Sequence, residues 1–216
     1  NLLKEAVDTR DYDAAAVYFR TLAQEAPSAS EATFIRGAQV YSNKVQRAQD
    51  LNEKKALLDS LMMIYDLRVQ YFPSSPNYGT AYVLDRKARE YLTFNPSDRE
   101  GVRKLYKEAI EAGLQSGYAA LPDVALVYFS NLCDDYKMGE VYPDAVLDEY
   151  ARLAPIFESD APGVKEAKTQ FDTCFAGSGA ADCENLEKMF RPRIEAAPED
   201  MELLKQTVSL MSRSQC

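Results

Sequence analysis

Residues 10–27 read RDYDAAAVYFRTLAQEAP, and this stretch decides the fold. Four of its residues are spaced three and four positions apart: Tyr12, Ala15, Phe19 and Leu22. Pro27 follows them at the end of the stretch. That spacing is the period of an amphipathic helix. A small residue such as Ala15 allows a neighbouring helix to approach closely, and an aromatic residue such as Phe19 fills the space beside it. Because proline ends a helix, the stretch predicts one helix of a packed pair.

The same spacing recurs along the chain. Its central aromatic residues lie about 40 to 46 positions apart and define five copies: Phe19, Tyr65, Tyr106, Tyr150 and Phe190. We therefore predict five helix pairs with repeat boundaries near 1–27, 28–76, 77–115, 116–160 and 161–198, followed by a capping helix over 199–216. The fifth copy contains Pro192, which is expected to kink or shorten its helix. No convincing strand pattern interrupts the series, so the chain is expected to be all-α and to form a single domain over 1–216.

Composition narrows the function classes. The chain has 216 residues, with 34 acidic against 25 basic residues and a formal net charge of −9, which argues against a nucleic-acid partner. It has no histidine, which removes histidine-dependent catalysis and most zinc and haem sites. No stretch approaches 18 consecutive apolar residues, so no transmembrane segment is predicted. With no catalytic motif either, we expect a protein that is not an enzyme and holds no metal or cofactor.

Three further segments carry a family resemblance: LMMIYDLRVQYF (61–72), YVLDRKAREYL (82–92) and GAADCENLEKMFRPRIEAAPEDMELLK (179–205). They resemble exported tetratricopeptide-repeat proteins of the Bacteroidetes. The resemblance implies a right-handed α-solenoid of antiparallel helix pairs in the periplasm or on the cell surface of a bacterium, and it implies no reaction. The usual tetratricopeptide period is about 34 residues, so a HEAT-type repeat with a period of about 40 to 47 residues is the structural alternative.

The four cysteines form no CxxC motif. In such a solenoid, Cys133 and Cys174 lie near the ends of neighbouring first helices, whereas Cys183 and Cys216 lie at the start and end of antiparallel helices. Both arrangements could satisfy a disulfide, whose Cα atoms are about 4.4–6.8 Å apart. The candidate disulfides are therefore Cys183–Cys216 and Cys133–Cys174, as expected of an exported protein. Free thiols in a cytoplasmic protein are the alternative.

The first helices of such a solenoid line its concave surface, and this surface is the predicted binding site. Its candidate contact residues are aromatic, basic and amide side chains: Phe34, Tyr41, Tyr82, Arg86, Arg89, Tyr128 and Asn131. Aromatic rings there would offer stacking area to a peptide or a glycan. The alternative is that the aromatic residues pack in the core and that the basic residues form a solvated face.

Some tetratricopeptide domains grip a partner's C-terminal carboxylate with basic and amide residues on first helices. Arg36 and Asn43 belong to a comparable set here, together with Arg86, Arg89 and Asn131, although their spacing does not match that clamp. The function expected from the whole sequence is a protein-interaction module that binds a peptide or protein segment on its concave face. The alternative function is a glycan-binding or assembly subunit of the cell envelope.

Overall fold

The computed structural model describes residues 2–75, 78–159 and 163–216, apart from the side chain of Arg213. Over these residues it contains eleven α-helices and no β-strand, which confirms the all-α class. The helices cluster into two compact units, unit 1 over Asn1–Tyr118 and unit 2 over Ala119–Cys216. A single domain, the handedness and the number of repeats stay predictions, and each unit is described below by itself.

Unit 1 contains six helices: α1 Leu2–Asp8, α2 Tyr12–Glu25, α3 Glu31–Arg47, α4 Leu51–Tyr71, α5 Thr80–Phe94 and α6 Arg99–Ser116. Each helix packs on the next one, and α3 packs on both α1 and α5 as well. The odd-numbered helices therefore form a row. The even-numbered helices each begin after an aspartate whose carboxylate accepts a hydrogen bond from a backbone amide of the first turn: Asp11, Asp50 and Asp98.

The core of unit 1 uses the predicted small and aromatic positions. Ala15 is fully buried, and the Phe19 ring meets Phe34 and Tyr41 edge to face, with ring centroids 6.2 and 5.9 Å apart. Gly37 of α3 faces Phe19, because a β-carbon at Gly37 would lie only 2.4 Å from the ring. The close approach of α2 and α3 therefore requires a residue without a side chain at position 37.

Unit 2 contains five α-helices and one short 3₁₀ helix: α7 Leu121–Lys137, α8 Pro143–Leu153, the 3₁₀ helix Ala154–Phe157, α9 Val164–Ala176, α10 Cys183–Ala196 and α11 Met201–Arg213. The contacts join α7 to α8 and α9, α8 to α10, and α11 to both α9 and α10. The core is an aromatic stack in which the Tyr150 ring lies parallel to Phe171 and Phe175, at centroid distances of 4.8 and 4.0 Å. Phe129 and Phe157 pack against the same stack.

Pro192 does not shorten its helix, which was one of the two effects expected of it; whether it kinks the helix stays a prediction. Helix α10 continues through this residue to Ala196. A proline inside a helix leaves the carbonyl four residues earlier, here that of Lys188, without its usual amide donor. Lys188 and Pro192 are both exposed, so water can satisfy that carbonyl. The solvent-facing position explains why the helix tolerates the proline.

Candidate binding groove

Three of the aromatic residues predicted to contact a partner lie in the core instead. Phe34 and Tyr41 are buried in unit 1, and Tyr128 is buried in unit 2. The Phe34 ring is enclosed by Phe19 on one side and by Tyr71 and Phe72 of the α4 end on the other. These rings fill the spaces between packed helices, so for them the alternative of core packing is the one observed.

A groove runs along the row of odd-numbered helices in unit 1. It consists of two adjoining clefts, one of about 520 Å³ between α1 and α3 and one of about 290 Å³ between α3 and α5, with α4 at its floor. Gln39 and Asn43 of α3 line both clefts, so the two lie next to each other along this helix. Of the predicted contact residues, Tyr82 and Arg86 line this groove, which we call the polar groove.

The charges of the polar groove contrast with those of the whole chain. Six basic and two acidic residues line it: Lys4, Arg10, Arg36, Arg47, Arg68 and Arg86 against Asp8 and Glu90. The whole chain, by comparison, has 25 basic and 34 acidic residues. The groove is therefore a locally cationic surface on an acidic protein, and such a surface attracts anionic partners.

Arg68 fixes the floor of the groove. Its Nε donates a hydrogen bond to Glu31 Oε1 at 2.9 Å, and only 4% of Arg68 is exposed. The hydroxyl of Ser75 donates to the other oxygen of Glu31 at 2.6 Å. The guanidinium carbon of Arg68 also lies 5.2 Å from the ring centre of Tyr78 and 5.9 Å from that of Tyr82. These contacts tie α3, α4 and α5 together beneath the groove.

Glu90 is the carboxylate of the second cleft. Burial raises the pKa of Glu90, while Arg86 and hydrogen bonds donated by Tyr65 and Ser42 oppose that shift. Its closest approach to the guanidinium of Arg86 is 3.9 Å, which is long for an ion pair. The pair is therefore a weak one, and Arg86 can bind another carboxylate without losing a strong partner.

Arg89 does not line the polar groove. Its Nε donates to Asp85 at 2.6 Å, and the same buried carboxylate accepts a hydrogen bond from the Tyr118 hydroxyl at 3.2 Å. Burial and the charge of Asp85 raise the pKa of Tyr118 to about 12. Asn131, the remaining predicted residue, lies in unit 2 and donates its side-chain amide to the carbonyl of Val127. Arg89 and Asn131 thus each make a hydrogen bond within their own unit.

Sequence reasoning did not assemble the face of α3 that lines the groove. Its polar residues follow one another at positions i, i+3, i+7 and i+11: Arg36, Gln39, Asn43 and Arg47. Residues at this spacing lie on one face of a helix. The pattern was therefore present in the sequence, and searching for polar stripes as well as apolar ones would have found it.

The two candidate disulfides differ in the structure. Cys183 and Cys216 are joined, with Cα atoms 5.4 Å apart, which confirms that pairing. Cys133 and Cys174 remain thiols, so the second expected bond is not formed here. The two residues nevertheless lie on the packed helices α7 and α9, and their sulfur atoms interact electrostatically. Their expected proximity is therefore observed without the covalent bond.

Within the described residues, no group of three or more carboxylate or cysteine side chains is placed to hold a metal ion. Over the same residues, every helix is too short or too polar to cross a membrane. Comparison with protein-family models, curated proteins and solved structures finds no match to this chain. The tetratricopeptide resemblance therefore rests on the sequence alone.

Proposed function

We propose that this protein is a non-enzymatic interaction module whose unit 1 binds an acidic, extended segment of another protein in the polar groove. The observation that carries the proposal is that six basic and only two acidic residues line a groove in a chain of net charge −9. Most of the protein surface is acidic and repels an acidic partner, because like charges repel. The groove is the place where such a partner gains favourable electrostatic energy.

Helix α3 supplies the contacts that an acidic peptide needs. Arg36 has no carboxylate partner among the described residues and can pair with one in a bidentate geometry. Gln39 and Asn43, which lie between Arg36 and Arg47, can bond to peptide backbone groups. The distance from Arg36 to Arg47 along the helix is about 16 Å, at about 1.5 Å per residue. A segment of about five extended residues spans that distance.

Two further features are part of the proposal. A tetratricopeptide-type right-handed solenoid is supported by the spacing of the repeats and by the contacts of α3 with both α1 and α5. An exported location, in the periplasm or on the cell surface of a bacterium, is supported by the exposed disulfide between Cys183 and Cys216, because such bonds persist in oxidising compartments.

The experiment measures fluorescence anisotropy of labelled peptides of about seven residues, a length that covers the groove. A glutamate peptide should bind more tightly than a glutamine peptide, and added salt should weaken its binding. Arg36→Glu should weaken binding about tenfold or more, which corresponds to about 1.4 kcal/mol. Glu90→Gln should strengthen it, because a negative charge leaves the groove.

The matched control is Arg20→Glu, which makes the same charge change at an exposed position of α2 that does not line the groove. It should change the affinity less than twofold. Equal binding of the two peptides, or an equal loss in the Arg20 and Arg36 variants, would refute the proposal. Circular dichroism of each variant establishes that the helices are intact.

The glycan alternative has one observation in its favour. Tyr78 and Tyr82 lie with ring centres 4.9 Å apart beside the groove, and paired aromatic rings can stack on sugars. The same titrations therefore include neutral oligosaccharides. A change in tyrosine fluorescence with these sugars, without binding of the glutamate peptide, would replace the peptide by a glycan as the ligand.

A further inference from the structure

Unit 2 contains a second pair of cysteines that differs from the exposed disulfide. Cys133 of α7 is 1% exposed, and Cys174 of the neighbouring helix α9 is half-buried. Their sulfur atoms interact electrostatically, and both are thiols. Cys174 is thus the more accessible of the two, and Cys133 is enclosed by the fold.

The surroundings distinguish the two sulfur atoms chemically. The thiol of Cys133, the hydroxyl of Ser130 and the ammonium group of Lys137 all favour the thiolate form of Cys174. Burial and the carboxylate of Asp134 act in the opposite direction. The net effect lowers the pKa of Cys174 to about 6. The interaction with Cys174 and burial both raise the pKa of Cys133. The more exposed sulfur therefore ionises more readily than the buried one, and the thiolate is the nucleophilic form.

We propose that Cys133 and Cys174 form a redox-active dithiol that exchanges with an external disulfide, with Cys174 as the attacking residue and Cys133 as the resolving residue. A partly exposed cysteine and a buried one on two packed helices carry this inference. It concerns unit 2 alone and is independent of the polar groove.

The reaction consumes one molecule of an external disulfide, RS–SR. The Cys174 thiolate attacks one sulfur, the S–S bond breaks, and the second sulfur leaves as a thiolate that takes a proton from water. Cys133 then loses its proton to solvent and attacks Cys174 Sγ, which expels the first sulfur as a second thiol. Two electrons pass from the protein thiols to the reagent, which leaves one protein disulfide and two molecules of RSH.

The test uses oxidised glutathione as the external disulfide and peptide mass spectrometry as the readout, on protein that has first been reduced and desalted. In the wild type we expect a peptide in which Cys133 and Cys174 are linked. Cys133→Ser should instead accumulate a stable mixed disulfide between glutathione and Cys174. Cys174→Ser should leave Cys133 unmodified, because the remaining sulfur is buried.

Two controls keep the test decisive. The Cys183→Ser, Cys216→Ser double variant should still form the inner bond, which separates it from the exposed disulfide. Cys133→Ala should behave as Cys133→Ser does, and circular dichroism reports whether either variant is folded. The proposal fails if both wild-type thiols stay unmodified under conditions that oxidise the unfolded chain. It also fails if Cys133 in Cys174→Ser reacts as fast as Cys174 in Cys133→Ser.

Discussion

Units 1 and 2 place the same repeated aromatic position in their cores but hold their helices together differently. In unit 1, buried charged side chains link helices: Arg68 pairs with Glu31, and Lys87, which is also buried, pairs with Asp66 at 2.5 Å. In unit 2 the central feature is the aromatic stack around Tyr150, and the exposed disulfide joins its last two helices. The repeat spacing specifies which positions face inward and leaves open what fills the interface.

The difference has a functional consequence. Charged groups that link helices in unit 1 also reach the surface of the row of odd-numbered helices, where they contribute to the polar groove. Arg68, for example, pairs with Glu31 below the groove and lines it at the same time. The stack of unit 2 is apolar and buried, so its chemistry lies in its cysteines. The proposed binding in unit 1 and the proposed redox chemistry in unit 2 thus rest on separate observations of the two units.

The largest expected loss of stability comes from mutating Tyr150, the central aromatic residue of a repeat in unit 2. Tyr150→Ala should lower the free energy of unfolding of unit 2 by about 3–5 kcal/mol, because it removes the centre of the stack. Tyr150→Phe should cost about 1–3 kcal/mol, since the buried Asp172 loses the hydroxyl that donates to it at 2.9 Å. Denaturant unfolding, combined with hydrogen exchange to assign the unit that opens, measures both effects.

Tyr106 of unit 1 is the matched control for Tyr150. Its hydroxyl is buried and makes no hydrogen bond within the described structure, and burial raises the pKa of Tyr106 to about 12. Tyr106→Phe therefore removes a polar group that has no bonding partner and should leave stability unchanged or slightly higher. Equal losses for Tyr106→Phe and Tyr150→Phe would show that the two hydroxyls play the same role and would remove this difference between the units.

The second effect concerns the buried ion pair of unit 1. Arg68→Met should lower the free energy of unfolding by about 3 kcal/mol, because Glu31 then keeps a largely buried charge without its partner. The double variant Arg68→Met, Glu31→Gln should recover most of this loss, since the charge is gone as well. A double-mutant cycle in urea measures the coupling. Additive losses would mean that the pair does not act as a unit.

The third effect belongs to unit 2. Removing the disulfide by Cys183→Ser with Cys216→Ser should lower the free energy of unfolding by about 2–4 kcal/mol, because the bond closes a loop of 33 residues that includes the end of α11. Hydrogen exchange should increase in α10 and α11 and stay unchanged in α3 and α4 of unit 1. Faster exchange in α3 and α4 would contradict the assignment of the effect to unit 2.

Those expectations show which parts of the molecule the sequence can predict. The central aromatic residue of every predicted repeat is buried, because an aromatic residue among apolar residues at helical spacing lies on the face that packs against a neighbour. The face of α3 was harder to assign. Helix α3 contacts neighbours on several sides, so Phe34 and Tyr41 are buried although they lie on a first helix, and the solvent-facing stripe is narrow. Side-chain partners such as Asp85 for Arg89 depend on the packed helices and cannot be derived from helix spacing.

The cysteines show the same limit. The start of α10 and the end of α11 had to be neighbours in any antiparallel pair, so the Cys183–Cys216 bond followed from topology. The positions of Cys133 and Cys174 on α7 and α9 also followed from topology, and these residues do meet. Whether two thiols in contact form a bond depends on the oxidant as well as on the fold. For that reason the sequence predicted the contact correctly and could not fix the oxidation state.

The smallest expected effect tests the close approach of α2 and α3 in unit 1. Gly37→Ala should lower the free energy of unfolding by about 1–3 kcal/mol, because the new β-carbon would lie 2.4 Å from Phe19 and the ring must move. Gly79→Ala is the control: a β-carbon there meets nothing within 4 Å, so only the small loss from placing alanine at the N-cap of α5, about 0.5 kcal/mol, is expected. Combining Gly37→Ala with Phe19→Leu should restore part of the loss, since the smaller side chain makes room. Thermal unfolding followed by circular dichroism measures the stability of each variant. If Gly37→Ala and Gly79→Ala lowered it equally, the loss would come from replacing glycine and not from the contact with Phe19.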